Sequence, residues 1–158
     1  MPEDIAASDV IIRKATLKDI DAIYQLGQSV DEFAVNDETV NFWPKELLAN
    51  AVVANDALIL VAEDEAVVGF LIVNYNASLK KALIENVYAR PDKRGQGISD
   101  KLLEQMFKLL SDIGCEYVAT LVPLNAHGAI DLYTRASFSK GETFLWLDKA
   151  LSNTFKRN

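Results

Sequence analysis

The sequence has one cysteine, one histidine and no long apolar run, and each scarcity narrows the class of protein. Cys115 is the only cysteine among 158 residues, so no disulfide can form within the chain. No apolar run approaches the ~20 residues that cross a bilayer, which predicts a protein without a membrane partner. The acidic first nine residues lack the basic start and apolar centre of a signal peptide. Together these features predict a cytoplasmic protein.

Positive charge is also scarce, and its distribution is uneven. The chain has 16 lysines and arginines against 23 acidic residues, a net charge of −7. This balance argues against nonspecific binding to nucleic acid or to anionic membranes. Residues 31–65 contain nine acids and one base, whereas residues 90–101 contain four bases and two acids. The second segment is therefore a candidate site for an anionic ligand.

Length and the order of elements predict one domain of mixed α/β class. We expect this domain to cover residues 10–151, with an N-terminal tail at 1–9 and a C-terminal tail at 152–158. The order of elements fits neither a strict βαβ alternation nor an all-β protein. Hydrophobic periodicity predicts strands at 10–15, 57–63, 66–75, 82–90, 115–122 and 141–149, and helices from about 17, 44, 98 and 125.

Four local signals support these boundaries. Thr16 and Asp19 have the spacing of a capping box, with Asp in place of Glu. The pair at 64–65 predicts a tight hairpin turn between two apolar strands. Gly114 stands where a glycine commonly ends a helix, and Asn125 could cap the last helix.

The segment "PDKRGQGISDKLL" (91–103) is the strongest candidate for a binding loop. A glycine-rich turn at a helix start exposes unpaired N–H groups, which the helix dipole makes attractive to phosphate oxygens. A tight turn with a solvated basic rim is the alternative explanation. The loop lacks the Lys-Ser or Lys-Thr ending of a Walker loop. It also lacks the last glycine of a dinucleotide fingerprint.

Two motifs in this sequence resemble those of a known family. "ARPDKRGQGISDKLL" resembles motif A of the GNAT superfamily of acyl-CoA-dependent N-acetyltransferases, with Arg94, Gly97 and Ser99 at its motif positions. "NAHGAIDLYTRASF" (125–138) is similar to the family's second motif, a helix that carries a tyrosine. Two departures stand out. Ser99 replaces a glycine or alanine, and Ser137 replaces a glycine whose position often requires a positive φ.

The resemblance implies a fold and an activity. The implied fold is a central, mostly antiparallel, splayed sheet of about six to seven strands flanked by about four helices. The implied activity is transfer of an acetyl group from acetyl-CoA to a primary amine, by direct attack and without a metal. The acceptor would be a small-molecule or peptide amine, and dimers are common in the family. The alternative is a non-catalytic acyl-CoA-binding or regulatory module on the same fold.

The resemblance also implies a cofactor site. The strand before motif A would carry a bulge, and its exposed backbone at Val87, Tyr88 and Ala89 would pair with the pantetheine arm. Asn125 would contact the pantetheine or an ordered water. The N–H groups that would hold the pyrophosphate belong to Arg94, Gly95, Gln96, Gly97, Ile98 and Ser99.

Catalytic roles follow from the same motifs. Tyr133 matches the tyrosine that protonates or hydrogen-bonds the departing thiolate, with half-buried packing as the alternative. Glu85 is the candidate base for the amine, although a chain of waters could serve instead.

The acceptor side of the site is predicted from aromatic and acidic residues. Phe42 and Trp43 are candidates to line an acceptor cleft, with core packing as the alternative for both. Asp31 and Glu32 could attract a cationic acceptor, or could simply be solubilising charge.

Overall fold

The computed structural model describes residues 10–30 and 42–152, which contain one five-stranded sheet and four α-helices. The predicted tail at 1–9, most of the predicted tail at 152–158, Asp31 and Glu32 lie outside the described residues. The elements are β1 (Ile11–Lys14), α1 (Ile20–Gln28), α2 (Lys45–Val53), β2 (Ala57–Asp64), β3 (Ala66–Asn76), β4 (Lys81–Ala89), α3 (Ile98–Asp112), β5 (Tyr117–Thr120) and α4 (His127–Arg135).

The sheet is mostly antiparallel, as predicted. Its strands run in the order β1-β2-β3-β4-β5, with antiparallel pairs from β1 to β4 and a parallel pair between β4 and β5. The expectation of six to seven strands is wrong for the described residues, because the segment 141–149 forms no strand. The segment has residues that favour a β-conformation, but a strand also needs a neighbouring strand for its backbone hydrogen bonds.

The sheet separates two layers of helices, each with its own apolar core. Alternate residues of β2 face opposite sides, so its continuous apolar run serves two cores. Leu60 packs in the core that includes Leu102 and Met106 of α3. The adjacent Val61 packs in the core that includes Ile23 of α1 and Leu48 of α2. This arrangement places α3 behind the sheet and α1 with α2 in front of it.

β4 carries a bulge and then separates from β5. Asn86 pairs with Ile72 and Ile84 pairs with Val73, which leaves Glu85 as the extra residue of the bulge. The parallel pairing between β4 and β5 ends at Ile84 and Thr120, while β4 continues to Ala89. Among the described residues, the last five of β4 therefore have no neighbouring strand on that side. The splay and the bulge implied by the family resemblance are both present.

The predicted capping box forms and is tied to β1 by an ion pair. The Thr16 N–H donates to the Asp19 carboxylate at 2.7 Å. The Arg13 guanidinium donates two bonds to the same carboxylate, at 2.8 and 2.9 Å. Asp19 is only 6% exposed, and its bonds to Arg13 hold the pKa of the carboxyl below its usual range. Asp19 thus joins the start of the first helix to the edge strand.

We expect Asp19→Asn to lower the free energy of unfolding by about 2 kcal/mol, because a charged hydrogen-bond partner of Arg13 is lost. Urea titration at neutral pH measures this loss. The native pKa is depressed, so the contribution is present above the unfolded-state pKa and disappears as the pH falls through the native pKa. The difference between the two proteins should therefore shrink in acid.

Asp21→Asn is the matched control for this prediction. Its carboxylate pairs with Lys45 at 2.7 Å, but the side chain is 82% exposed. Exposed pairs contribute about 0 to 1 kcal/mol. An equal loss of stability in the two variants would contradict the structural role of Asp19.

Candidate functional site

The loop between β4 and α3 has a backbone that glycine makes possible. Gly95 has a φ of 81° and Gly97 a φ of 72°, both in the left-handed region. A Cβ added at either position would meet nothing within 4 Å. The glycines are therefore required by backbone conformation rather than by crowding, and the space in front of the loop is open to a ligand.

This loop forms one wall of a cleft of about 400 Å³. The N–H groups of Ile98, Ser99 and Asp100 lie in the first turn of α3, where a helix offers no backbone acceptor. Gly97 is the N-cap of that helix, and its carbonyl accepts the Lys101 N–H at 2.9 Å. The residues lining the cleft are Ala89, Lys93, Arg94, Gly95, Gly97, Ile98, Ser99, Asp100 and Arg135.

Two basic residues of the loop pair with carboxylates, and a third has no carboxylate partner among the described residues. Lys93 donates to Asp64 at 2.8 Å, and Arg90 donates to Asp92 at 2.8 Å. Arg94 donates only a long bond, 3.3 Å, to the Ala89 carbonyl, and within the described residues it has no carboxylate partner. Arg94 is therefore the loop cation best placed to bind an anion, whereas Lys93 connects the loop to the β2–β3 hairpin.

Arg135 is a second cation at the cleft that sequence reasoning missed. It extends from α4 to within 3.3 Å of the Asp100 carboxylate on α3. Its position two residues after Tyr133 gave no sign that its side chain reaches the start of α3. An anion in the cleft would compete with Asp100 for this guanidinium.

The open side of β4 presents backbone groups at two of the three predicted positions. The Arg90 N–H donates to the Val68 carbonyl at 2.7 Å. Because backbone groups alternate along an antiparallel strand, those of Tyr88 face β3 and those of Val87 and Ala89 face the open side. Val87 and Ala89 can therefore pair with an extended ligand, while Tyr88 holds the strand in the sheet.

Tyr133 lies beside the point where β4 and β5 separate. Its side chain is 9% exposed, and its ring meets Phe138 edge-on at 5.2 Å. The phenol lies close to Thr120, whose Oγ1 donates to the Ile84 carbonyl at 3.1 Å. Burial raises the pKa of Tyr133, and the interaction with the Thr120 side chain partly offsets this rise. The phenol therefore keeps its proton at neutral pH. Sequence reasoning did not identify Thr120.

The bulge residue Glu85 is exposed to solvent. Its Oε1 accepts a hydrogen bond from the Asn74 Nδ2 at 2.9 Å, which holds the carboxylate against β3. Because Glu85 is the extra residue of the bulge, its side chain escapes the regular alternation of β4. The carboxylate is accessible to a substrate or to water.

The two aromatic candidates have different environments. Phe42 is 6% exposed and packs on Phe70 at 5.5 Å between ring centres, so its side chain belongs to the core. Trp43 is half-buried, and its Nε1 donates to the Asn86 Oδ1 at 3.0 Å. Trp43 is thereby fixed next to the bulge.

A second cleft, of about 600 Å³, lies between the end of α1 and the end of β4. It shares Arg94 with the first cleft, so the two are adjacent. Asp31 and Glu32 follow its lining residue Val30 in sequence, but they lie outside the described residues. The lining residues are Gln25, Leu26, Ser29, Val30, Tyr88, Arg90, Pro91 and Arg94.

The second motif differs from the prediction at the start of α4 and agrees with it at the end of that helix. The expected cap at Asn125 is wrong, because α4 begins at His127 with Ala126 as its N-cap and no side-chain cap bond. Asn125 is exposed in the turn before it. Ser137 has a φ of 68°, as expected for a residue in place of glycine. The Phe138 N–H then donates to the Tyr133 carbonyl at 2.9 Å and closes the helix end.

None of the described helices combines the length and the apolar character that a membrane span requires. The described part of the chain also contains no group of three or more His, Cys, Asp or Glu side chains that could hold a metal ion.

Several solved structures share this fold at low sequence identity. The ribosomal-protein-S18-alanine N-acetyltransferase from Escherichia coli superposes with a TM-score of 0.68 and 21% identity, covering 84% of this chain and 79% of its own. The aminoglycoside acetyltransferase meta-AAC0020, from an uncultured soil metagenomic sample, has a TM-score of 0.71 and 19% identity, covering 90% of this chain and 97% of its own. AAC(6')-Iy in complex with a CoA-containing bisubstrate analogue has a TM-score of 0.75 and 14% identity, covering 90% and 99%.

Sequence comparison gives the family. No curated protein matched the chain with significant similarity. The family model described as "Acetyltransferase (GNAT) family" matches residues 20–138, which is more than half of the chain and includes both motifs. The chain therefore belongs to the GNAT family of acetyltransferases.

Proposed function

We propose that the protein transfers an acetyl group from acetyl-CoA to a primary amine by direct attack of the amine on the thioester. The observation that carries this proposal is the position of the Tyr133 phenol, which lies where β4 and β5 separate, at one end of an open strand edge. The glycine loop lies at the other end of the same edge. One extended ligand with a phosphate end and a thioester end would fit both.

The binding half of the proposal assigns one part of acetyl-CoA to each part of the edge. The N–H groups at the start of α3 and the Arg94 guanidinium would bind the pyrophosphate. The backbone of Val87 and Ala89 would pair with the amide groups of the pantetheine arm, as an added strand does. One of these N–H groups would also polarise the thioester carbonyl and stabilise negative charge on its oxygen during attack.

The chemical half requires two proton movements. The amine, with a pKa near ~10.4, must lose a proton before it attacks the carbonyl carbon. We assign this proton to Glu85 directly or to a chain of waters that ends there. The new C–N bond forms, the C–S bond breaks, and the thiolate receives a proton from Tyr133. An ordinary thiol has a pKa of about 8.5, and burial raises the pKa of the Tyr133 phenol above its usual value, so the phenol is the weaker acid. A hydrogen bond from Tyr133 can therefore stabilise the thiolate without complete transfer of the proton.

The acceptor is proposed to be a small-molecule or peptide amine. The names of the structural neighbours include a ribosomal-protein alanine and aminoglycosides, which are amines of both kinds. Glu85 is the bulge residue, and Trp43 is held beside it by Asn86. An amine would approach the thioester there, from the front of the sheet. Substrate choice then depends on loops that differ between members of one fold.

An amine panel assayed by release of free thiol tests this function directly. We expect acetyl-CoA to raise the melting temperature, since a ligand that binds only the folded state stabilises it. At least one amine should then release CoA in proportion to acetylated product. Stabilisation without turnover on any class of amine would support the non-catalytic binding module instead. No shift at about millimolar acetyl-CoA would contradict the cofactor assignment.

We expect Thr120 to assist proton donation by Tyr133, because its hydroxyl can stabilise the phenolate that forms. In the resting protein the Thr120 hydroxyl donates to Ile84, but it could turn to donate to the phenolate once Tyr133 has lost its proton. We expect Thr120→Val to lower kcat about tenfold, the value of one hydrogen bond to a charged group. Acetyl-CoA affinity should not change, and Thr120→Ser should restore most of the rate.

Thr134→Val provides the matched control for this prediction. Thr134 is exposed on α4 and donates only to the Ile130 carbonyl, at 2.7 Å. Steady-state kinetics with saturating amine would separate the two variants. Equal rates in Thr120→Val and the wild type would show that Thr120 has no part in the proton transfer.

A further inference from the structure

The β2–β3 hairpin holds the glycine loop at both of its ends. Before the loop, the Arg90 N–H donates to the Val68 carbonyl at 2.7 Å. After the loop, Ile98 is only 2% exposed and lies close to Gly69 of β3. A Cβ at Gly69 would lie 2.7 Å from a backbone oxygen of β4 and 3.2 Å from the Ile98 side chain, so this close approach requires glycine. Both ends of the loop are therefore fixed on β3.

A third contact holds the loop between its ends and comes from the tip of the same hairpin. The Lys93 Nζ lies 2.8 Å from the Asp64 carboxylate, and the two side chains are only 26% and 15% exposed. Asp64 ends β2, directly before the turn residue Glu65, whose φ is 58°. Lys93 directly precedes Arg94, the base proposed for the pyrophosphate. The hairpin therefore contacts the loop next to the residue that would bind the anion.

Two other ion pairs near the cleft are built differently. Arg90 and Asp92 pair within the loop itself, two residues apart, so their pair attaches the loop to no other element. Arg135 and Asp100 are 3.3 Å apart, and their side chains are 59% and 49% exposed. An exposed pair of this kind opens at little cost, whereas separating a shielded pair leaves both charges poorly solvated. The pair with the hairpin is thus better suited than either to hold the loop in place.

We propose that Asp64 is a positioning residue, which holds Lys93 and so keeps the glycine loop in its anion-binding conformation before a ligand arrives. Gly95 and Gly97 have positive φ, but glycine adopts negative φ about as readily, so these residues do not fix the loop by themselves. A loop that is fixed in advance loses less conformational freedom on binding, which raises affinity. This role rests on the proposed function, in which the pyrophosphate of acetyl-CoA binds at the loop.

The alternative role of Lys93 is direct contact with the phosphates, with Asp64 as a competitor for its ammonium group. The two roles predict opposite effects of Asp64→Ala on the Kd for acetyl-CoA. Direct contact predicts tighter binding, because the variant frees a lysine and removes a negative charge near an anionic ligand. Positioning predicts weaker binding, and we expect the Kd to rise about tenfold, as for one or two side chains that must be ordered on binding.

Glu63→Ala is the matched control for Asp64→Ala. It removes the same charge from the adjacent residue of β2 and breaks an ion pair of its own, with Arg13 at 2.8 Å. Arg13 belongs to β1, so the control leaves the contact between Lys93 and Asp64 intact. We expect the Kd for acetyl-CoA to change by less than about twofold in this control, because solvent screens the charge that is removed.

Calorimetric titration with two ligands measures these effects. The ligands are acetyl-CoA and S-acetylpantetheine, which has the thioester arm but no pyrophosphate. S-acetylpantetheine should bind Asp64→Ala and the wild type equally, because it makes no contact with the glycine loop. Acetyl-CoA binding that is tighter or unchanged in Asp64→Ala would overturn the proposal. An equal loss in Asp64→Ala and Glu63→Ala would also overturn it.

Backbone relaxation in the ligand-free protein tests the positioning role without any cofactor. Order parameters of the Gly95 and Gly97 N–H groups should be about 0.85 in the wild type, as in rigid backbone, and below about 0.6 in Asp64→Ala. Gly114, at the end of α3, should not change and shows that the variant is folded. Lys93→Met breaks the same pair but keeps most of the apolar side chain, and it should loosen the loop to the same extent.

Unchanged order parameters at the two loop glycines in either folded variant would overturn the proposal. If the wild type binds no acetyl-CoA, the proposed function fails, and the relaxation measurement still decides whether Asp64 orders the loop.

Discussion

Replacing Tyr133 with phenylalanine should lower kcat about a hundredfold and leave acetyl-CoA affinity nearly unchanged, within about twofold. The side chain is buried beside Thr120 and Phe138, so the ring keeps its packing when the hydroxyl is removed. What is lost is the proton donor at the point where β4 and β5 separate. Because the thiolate would then leave without stabilisation, the loss belongs to the chemical step rather than to binding.

The pH profile gives an independent readout. In the proposed mechanism Tyr133 acts in its protonated form, and burial raises its pKa, so activity through this group should persist at neutral pH and fall only in strong alkali. The variant should lack that alkaline limb. Tyr117→Phe is the matched control, since its ring is 59% exposed on β5. A Tyr133→Phe enzyme with an unchanged kcat would remove the acid role from the proposal.

Local chemistry was enough to predict most elements and the conformation of the glycine loop. The capping box at Thr16 and the hairpin near Glu65 depend on residues close in sequence, and both are present. Gly95 and Gly97 adopt the positive φ values that a glycine-rich turn suggests, and Ser137 does so as well. Such features are readable because the backbone conformation depends on the residue itself.

Features that depend on distant neighbours could not be predicted in the same way. The run at 143–147 favours a strand, yet strand formation needs an edge that no local pattern supplies. Arg135 lines the cleft on α4 and pairs with Asp100 on α3, two positions that are 35 residues apart in sequence. Thr120 meets Tyr133 because β5 ends where β4 bulges. Each of these depends on how elements separated in sequence come together.

The sequence shows the charge of the loop bases, but it does not show which of them pair with carboxylates. Lys93 pairs with Asp64 and Arg90 with Asp92, whereas Arg94 has no carboxylate partner among the described residues and is the base that we propose for the pyrophosphate. We expect Arg94→Ala to raise the Kd for acetyl-CoA about tenfold or more, the value of one charge-assisted hydrogen bond to phosphate. The loss should be larger at low salt, because screening weakens the interaction of an exposed cation with the pyrophosphate.

Two controls make this prediction specific to the pyrophosphate. Lys101→Ala removes the same unit of charge from an exposed position on α3, so it reports the general electrostatic effect. S-acetylpantetheine has the thioester arm without the pyrophosphate, so its binding along Val87 and Ala89 should be the same in Arg94→Ala and the wild type. Calorimetric titration measures acetyl-CoA binding to the wild type and to both variants, and S-acetylpantetheine binding to the wild type and to Arg94→Ala. If Arg94→Ala and Lys101→Ala weaken acetyl-CoA equally, Arg94 supplies only charge and no direct contact with the phosphates, because a local hydrogen bond would distinguish them.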